Sequence, residues 1–240
     1  MFAAHNLEAI EERILNACLR SGRKRDEITL MGVTKLQPVE AVEAAWKAGL
    51  RCFGESRVQE AAAKFGGFRE RKAGVGFCES HELHLIGALQ RNKAKAAASL
   101  FDCVQSVDRE ALARELARYA AERGKPLPLL LEFRTGEDSK SGFIGIDDLF
   151  RTVEFILGCP SLSVRGLMTI APNTGDEKML RSAFRRLVKL RGELEQRFPS
   201  DGRQCGWNCL SMGMSGDFEL AVEEGSTLLR IGSAIFGGRM

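Results

Sequence analysis

Short apolar runs alternate with segments of helical periodicity along the chain, and this alternation constrains the possible fold more than any other feature. Each run has the length of a buried strand, whereas the segments between them repeat their apolar residues at about every third or fourth position. Strands that alternate with helices form parallel sheets. The eight runs lie at residues 29–35, 50–54, 83–87, 101–106, 128–134, 163–170, 208–212 and 228–232.

Eight strand–helix units within 240 residues predict an α/β fold, namely a single-domain (β/α)8 TIM barrel that comprises residues 1–240. A doubly wound open sheet would use fewer strands or a longer chain. An extra N-terminal helix is expected before the first strand, with Leu7, Ile10, Ile14 and Cys18 on one face. The later helices are expected at residues 38–48, 58–65, 92–99, 108–123, 146–157, 176–198 and 217–224.

Helix starts and loops can also be predicted from single residue types. Asp108, Asp176 and Asp217 are expected to cap helices, because a short carboxylate accepts hydrogen bonds from the free N–H groups of a first turn. Residues 66–82 are charged and rich in glycine, so we expect a long loop there before the third strand.

The composition excludes several classes of protein. The formal net charge at pH 7 is only +3, and no basic run is interleaved with aromatic residues, so a nucleic-acid partner is not expected. The N-terminal segment has no apolar signal core, and no stretch is long enough to cross a bilayer. We expect a cytoplasmic monomer that binds neither nucleic acid nor membrane.

The cysteine and histidine pattern indicates no metal site. The seven cysteines form no CxxC pair, which is typical of reduced thiols. Cys205 and Cys209 lack a second pair of ligands, and none of the three histidines is spaced with them. A structural zinc is therefore not predicted.

Lys35 is the first candidate for chemistry, since it ends the first apolar run. A lysine buried there would have a lowered pKa and a nucleophilic amine able to form a Schiff base with an aldehyde. The alternative is a lysine whose flexible stem reaches solvent. Functional groups of such barrels follow the C-terminal ends of strands. On this reading these positions hold Lys35, Glu55, His84, Met168, Ser211 and Arg230.

Small residues follow the seventh and eighth runs, where barrels of this kind often hold a phosphate group. Ser211, Ser215, Gly232 and Ser233 are the candidates, because small residues let backbone N–H groups approach an anion closely. Each of them alone could serve only to form a tight turn. Together, at these two loops, they favour a bound phosphate.

Short motifs spread over nearly the whole chain resemble those of a known family. They lie at Val33–Lys35, Phe53–Glu55 with Val58–Glu60, His84–Gly87 with Gln90–Lys93, Ser139–Gly142, Arg165–Met168, Ser211–Ser215 and Gly225–Ser233. In these motifs the chain is similar to the YggS/PROSC pyridoxal phosphate homeostasis proteins. The last two motifs are the most specific.

The resemblance implies a fold-type III barrel related to the N-terminal part of alanine racemase, with pyridoxal 5'-phosphate held as a Schiff base on Lys35. It places the phosphate at Ser211 or Ser215 and at Gly232 and Ser233, and it places Arg230 opposite the pyridine nitrogen. His84 and Met168 complete the cofactor-binding residues that the resemblance suggests.

The resemblance also implies a non-catalytic role in intracellular cofactor homeostasis, with apo forms of pyridoxal phosphate enzymes as recipients. An arginine opposite the ring nitrogen makes the cofactor a poorer electron sink than an acid would. The only tyrosine, Tyr119, falls within a helical segment, and the chain ends soon after the eighth run. The alternatives are a small amino-acid racemase, for which His84 is a possible base, and a barrel that binds another phosphorylated metabolite.

The chain departs from the family pattern after the second run. It has Gly54-Glu-Ser-Arg57 where the family commonly has Gly-Glu-Asn-Tyr. The contacts of the replaced asparagine are therefore expected to be either lost or remade by Ser56.

Overall fold

A closed barrel of eight parallel strands forms the centre of the computed structural model, which describes residues 2–70, 81–136, 141–202 and 204–237. The strands follow one another around the barrel in chain order, and β8 pairs with β1 to close it. They are β1 Thr29–Val33, β2 Cys52–Glu55, β3 Glu82–Leu85, β4 Cys103–Val107, β5 Leu127–Glu132, β6 Leu162–Met168, β7 Cys205–Ser211 and β8 Leu228–Ile231. The predicted (β/α)8 barrel is confirmed.

Helices surround this barrel, and the predicted N-terminal helix precedes the first strand. Its residues Leu7, Ile10, Ile14 and Cys18 are buried, as their spacing predicts. The helices are α1 Phe2–Ser21, α2 Val39–Lys47, α3 Val58–Glu70, α4 Ala94–Leu100, α5 Glu110–Ala120, α6 Ile146–Leu157, α7 Glu177–Arg197, α8 Phe218–Glu223 and α9 Ser233–Phe236. Within the described residues, no helix has the length and apolar character needed to cross a membrane.

The loop predicted at residues 66–82 is partly wrong. Residues 66–70 continue α3, because alanine, lysine, arginine and glutamate around the glycines favour a helix and offset a cost of about 1 kcal/mol per glycine. Residues 71–80 lie outside the described part of the chain. Helix α4 starts at Ala94, after a 3-10 turn at Arg91–Lys93, and so begins two residues later than predicted.

The predicted helix caps have three different outcomes. Asp176 caps α7, since its carboxylate accepts from the N–H groups of the helix's second and third residues at 2.8 and 3.3 Å. Asp108 does not cap α5; Arg109 occupies the capping position and its guanidinium binds the Asp108 carboxylate instead. Asp217 occupies the cap position of α8, but its carboxylate accepts from the N–H of Met214 and so stabilises the preceding turn.

Alternate strand residues face the helices or the barrel interior, which gives the protein two apolar regions. The larger lies between strands and helices and includes Phe53, Phe184 and Trp207. The barrel interior contains two small apolar clusters with buried polar side chains beside them. One of these small clusters consists of Met31, Cys52 and Leu228, and the other consists of Cys103, Leu130 and Met168.

Candidate functional site

A cleft opens at the C-terminal ends of the strands and has a volume of about 410 Å³. This volume lies within the range of small-molecule sites. One wall is apolar, and the rest is formed by small or polar residues from the loops after several strands. The lining residues are Val33, Lys35, Gln37, Ser56, Ile86, Gly87, Ile170, Met214, Ser215, Gly216, Arg230, Gly232, Ser233 and Gly237.

Lys35 lines this cleft from a turn and is exposed, so its predicted burial is wrong. The reason is that β1 ends at Val33, two residues earlier than expected, and the chain turns immediately afterwards. Leu36 in this turn has a φ of 61°, a left-handed conformation that costs energy for a residue with a side chain. The amine of Lys35 is therefore presented to the cleft mouth by a defined turn.

The residue before Lys35 is fixed by buried polar groups. Thr34 donates from its hydroxyl to the Glu55 carboxylate at 2.7 Å, and its carbonyl oxygen accepts from Lys64 Nζ at 2.6 Å. Lys64 Nζ also lies 2.6 Å from Glu55 Oε1, in an ion pair whose two side chains are 7% and 0% exposed. Burial raises the pKa of Glu55, and the hydrogen bonds from Lys64 and Thr34 oppose this change.

The residue after Lys35 is held by the same group of charges. The backbone N–H of Leu36 donates to the Glu60 carboxylate, which also lies 3.2 Å from Lys64 Nζ. Because both neighbours of Lys35 are anchored to β2 and α3, the position of its backbone is fixed while its side chain stays exposed. We call Glu55, Glu60 and Lys64 the lysine-turn clamp.

Arg230 lies at the floor of the cleft and is 4% exposed. Its guanidinium donates to Ser211 Oγ and to the carbonyl oxygen of Thr169, both at 2.7 Å. Desolvation lowers its pKa to about 10, so the group remains a cation at neutral pH. A guanidinium has more N–H donors than these two bonds use, and it has no acceptor. Arg230 can therefore donate to a ligand in the cleft but cannot accept a proton from it.

A chain of hydrogen bonds continues from Arg230 towards the opposite end of the barrel. Ser211 Oγ donates to Gln105 Oε1 at 2.6 Å, and Gln105 Nε2 lies 2.7 Å from His84 Nδ1. His84 Nε2 in turn lies 3.2 Å from a carboxylate oxygen of Glu82, the first residue of β3. We call Arg230, Ser211, Gln105, His84 and Glu82 the interior polar chain.

The structure brings five of the eight predicted site residues together and separates three from the cleft. Ser211 and His84 belong to the interior polar chain, and Met168 packs against Cys103 and Leu130 inside the barrel. None of these three is among the described residues that line the cleft. The five that do line it are Lys35, Ser215, Arg230, Gly232 and Ser233.

The loops after β7 and β8 meet at the far side of the cleft. Ser215 Oγ accepts from the backbone N–H of Ala234 at 3.3 Å, which joins the two loops directly. The carbonyl oxygen of Gly213 accepts from the N–H of Arg230 at 3.0 Å. These bonds place the small residues of both loops within one wall, next to the guanidinium.

Some lining residues carry no sequence signal of their own. One of them, Gly87, has no room for a side chain, because a Cβ at this position would lie 2.3 Å from the carbonyl oxygen of Ser56. Ser56 itself lines the cleft, whereas its neighbour Arg57 is exposed. Gln105, which supports the cleft from the barrel interior, was also not predicted as a site residue. Its polar side chain within the largely apolar fourth strand was an available signal.

Comparisons of sequence show which known proteins this chain resembles. Residues 5–240 match the family model described as "Alanine racemase, N-terminal domain". The chain is 41% identical over 235 residues to the pyridoxal phosphate homeostasis protein of Vibrio cholerae, covering 98% of this chain and 95% of that one. It is 38% identical over 238 residues to the protein of the same name from Escherichia coli K12, with 98% and 96% covered.

Comparisons of structure give further similar proteins. PipY of Synechococcus elongatus PCC7942, solved with PLP bound, superimposes with a TM-score of 0.79 at 36% identity, covering 95% of this chain and all of PipY. The alanine racemase of Clostridium difficile 630 has a TM-score of 0.72 at 12% identity, which shows a shared fold. That match covers 95% of this chain and 56% of the racemase.

Proposed function

The chain belongs to the pyridoxal phosphate homeostasis proteins of the alanine racemase N-terminal domain family, and from this premise we propose that it is a non-catalytic carrier of pyridoxal 5'-phosphate. The cofactor supplies an aldehyde, which condenses with the Lys35 amine and releases water to form a Schiff base. One observation carries the proposal: among the described residues that line the cleft, only Lys35 and Arg230 have titratable side chains.

The cleft residues match the three functional parts of the cofactor. Lys35 provides an exposed amine for the aldehyde, and Arg230 provides a buried donor for the pyridine nitrogen. Ser215, Gly232 and Ser233 provide a hydroxyl-rich wall of small residues for the phosphate, beside the same guanidinium. PipY, at 36% identity, has been solved with PLP bound, which supports this assignment.

The position of Arg230 limits the chemistry that this chain would support. Its bonds to Ser211 and Thr169 orient a guanidinium that is a cation at neutral pH. This group would donate to the ring nitrogen of the cofactor and leave that nitrogen unprotonated. An unprotonated ring withdraws electrons less strongly, so the carbanion chemistry of the cofactor is disfavoured.

A second proton-transfer group is the feature that would favour a racemase. Racemisation needs an acid or base on each face of the substrate carbon. The only tyrosine of the sequence, Tyr119, lies on the outer helix α5 and packs against the core there. His84, the other candidate, hydrogen-bonds within the barrel interior. These positions support a carrier over a racemase.

The recipients in this proposal are apo forms of pyridoxal phosphate enzymes, to which a cytoplasmic monomer would deliver its cargo. An exposed lysine suits this role, because a Schiff base is exchanged by the attack of another amine. Such an attack needs open access to the aldehyde carbon that is bonded to Lys35. The position of Lys35 in a turn at the cleft mouth provides this access.

Borohydride reduction followed by peptide mapping tests the proposal. We expect the protein to have a visible absorption band when saturated with cofactor, and we expect reduction to fix a pyridoxyl group on Lys35. Lys35→Ala should lose both the band and the adduct, while Lys47→Ala, on the exposed end of α2, should keep them. An adduct on Lys93, or a Lys35→Ala variant with an unchanged spectrum, would contradict the assignment.

A further inference from the structure

Three side chains with metal-ligating atoms meet in the barrel interior, towards the end opposite the cleft. Cys52 begins β2 and Glu82 begins β3, and the two are direct partners in the parallel register. His84 lies two positions after Glu82 and therefore faces the same side of the sheet. The thiol, the carboxylate and the imidazole offer ligand atoms that all lie within 4.8 Å of one another.

We propose that Cys52, Glu82 and His84 bind a divalent transition metal ion of the Zn²⁺ class, with water as the fourth ligand. Sulfur and imidazole nitrogen favour Zn²⁺ and related ions over Mg²⁺ or Ca²⁺, which prefer sets made of oxygen atoms. Three protein ligands with one open position are a common Zn²⁺ arrangement. The sequence spacing did not reveal this set, because its members come from two strands that only the barrel brings together.

The histidine is already oriented by a neighbour, as is usual for metal ligands. Its Nδ1 lies 2.7 Å from the side-chain amide of Gln105, and its Nε2 points to the Glu82 carboxylate at 3.2 Å. A metal ion would bind Nε2 and leave the proton on Nδ1. The Gln105 amide has a donor and an acceptor at its end, so a half-turn about its last bond lets its oxygen accept that proton. The same half-turn brings Gln105 Nε2 to Ser211 Oγ, so that the amide donates to this hydroxyl instead of accepting from it.

The site also has a route to solvent. The Glu82 side chain is 68% exposed, whereas that of His84 is 9% exposed, so the carboxylate lies at the boundary with water. The metal displaces the proton of the Cys52 thiol, because the ligand is a thiolate, and binding therefore releases one proton to solvent.

The proposal is independent of the cofactor, because none of the three ligands is among the described residues that line the cleft. The test uses the reduced protein with its cofactor, dialysed against Zn²⁺ and then analysed for bound metal. A parallel titration with Co²⁺ is read as a difference spectrum, in which a thiolate ligand gives a sulfur-to-metal charge-transfer band and tetrahedral geometry gives intense visible bands.

We expect one metal ion per chain. Cys52→Ser should abolish the charge-transfer band, and Cys52→Ser and Glu82→Gln should each weaken Zn²⁺ binding more than about tenfold, since even indirect contacts to a metal contribute that much. Because the Glu82 side chain is 68% exposed, we expect Glu82→Gln to leave the fold intact. Cys103→Ser is the matched control, a buried thiol of the neighbouring interior cluster, and should keep both signals.

Two outcomes would overturn the proposal. One is a wild-type protein that retains no stoichiometric Zn²⁺ and gives no charge-transfer band with Co²⁺. The other is a metal signal that survives in both Cys52→Ser and Glu82→Gln, because such a signal would come from other ligands.

Discussion

Lys64 donates a hydrogen bond from Nζ to the carbonyl oxygen of Thr34 at 2.6 Å, and so holds the chain immediately before Lys35. The same ammonium pairs with the buried Glu55, and removal of one partner from a buried pair typically costs about 3 to 5 kcal/mol. The lysine-turn clamp therefore links the stability of the barrel to the position of Lys35.

Lys64→Met should lower the free energy of unfolding by about 3 to 5 kcal/mol, because it leaves the Glu55 carboxylate buried without its cation. Urea denaturation measures this change, with the exposed Lys47→Met as the control. The double variant Lys64→Met, Glu55→Gln should recover part of the loss, since a neutral amide is easier to bury. A double variant less stable than Lys64→Met would contradict this account.

Arg230→Gln should alter the absorption spectrum of bound cofactor and speed its release, because the buried cation that faces the ligand is removed. Stopped-flow transfer of the cofactor to an excess of free amine measures the release rate. Arg118→Gln, an exposed change on α5, should leave both properties unchanged. An unaltered spectrum in Arg230→Gln would exclude contact between this guanidinium and the ring.

Ser215→Ala should weaken binding of pyridoxal 5'-phosphate by about 1 to 3 kcal/mol, the usual cost of a lost hydrogen bond to a charged group. The affinity for pyridoxal, which lacks the phosphate, should stay the same in this variant. Ser99→Ala, on the exposed side of α4, is the control. An equal loss for both ligands would place Ser215 away from the phosphate.

Ser211→Ala distinguishes two roles of this hydroxyl, namely a direct contact with the phosphate and a supporting contact with Arg230. Ser211 lies between Arg230 and Gln105 in the interior polar chain, so we expect its loss to weaken pyridoxal and pyridoxal 5'-phosphate equally and to shift the spectrum as Arg230→Gln does. Binding titrations with the two ligands make the comparison. A loss confined to the phosphorylated ligand would instead support the direct phosphate contact that the sequence suggested.

Proton exchange at the α-carbon of L-amino acids tests the absence of catalysis. With holoprotein in deuterated water we expect no sustained exchange and no D-form, because Arg230 cannot act as a base and Lys35 is the other titratable group of the described cleft lining. Exchange at enzymatic rates that disappears in Lys35→Ala would establish a racemase instead.

The barrel could be predicted from the sequence because its strands and helices have different apolar periodicities, and these depend on local residue order. The predicted burial of Lys35 was wrong for a local reason as well, since β1 ends at Val33 and the chain turns there. Apolar patterning does not fix strand ends within two residues.

The interior polar chain could not be predicted, because it joins side chains from four strands. Ser211, Gln105 and His84 each lie within a strand, far apart in the sequence. Only the register of β3, β4, β7 and β8 brings their side chains into contact. A motif identifies the residue types at a site. It does not determine which of them contact a ligand and which support those that do.

Closure of the barrel has a consequence for the timing of cofactor capture during synthesis. Met31 of β1 pairs with Arg230 of β8, so the Lys35 turn at one end of the chain and the guanidinium near the other become neighbours only when these strands join. A nascent chain still lacking β8 has the amine without the floor of its cleft. We therefore expect the newly made protein to bind pyridoxal 5'-phosphate only after its last strand has left the ribosome.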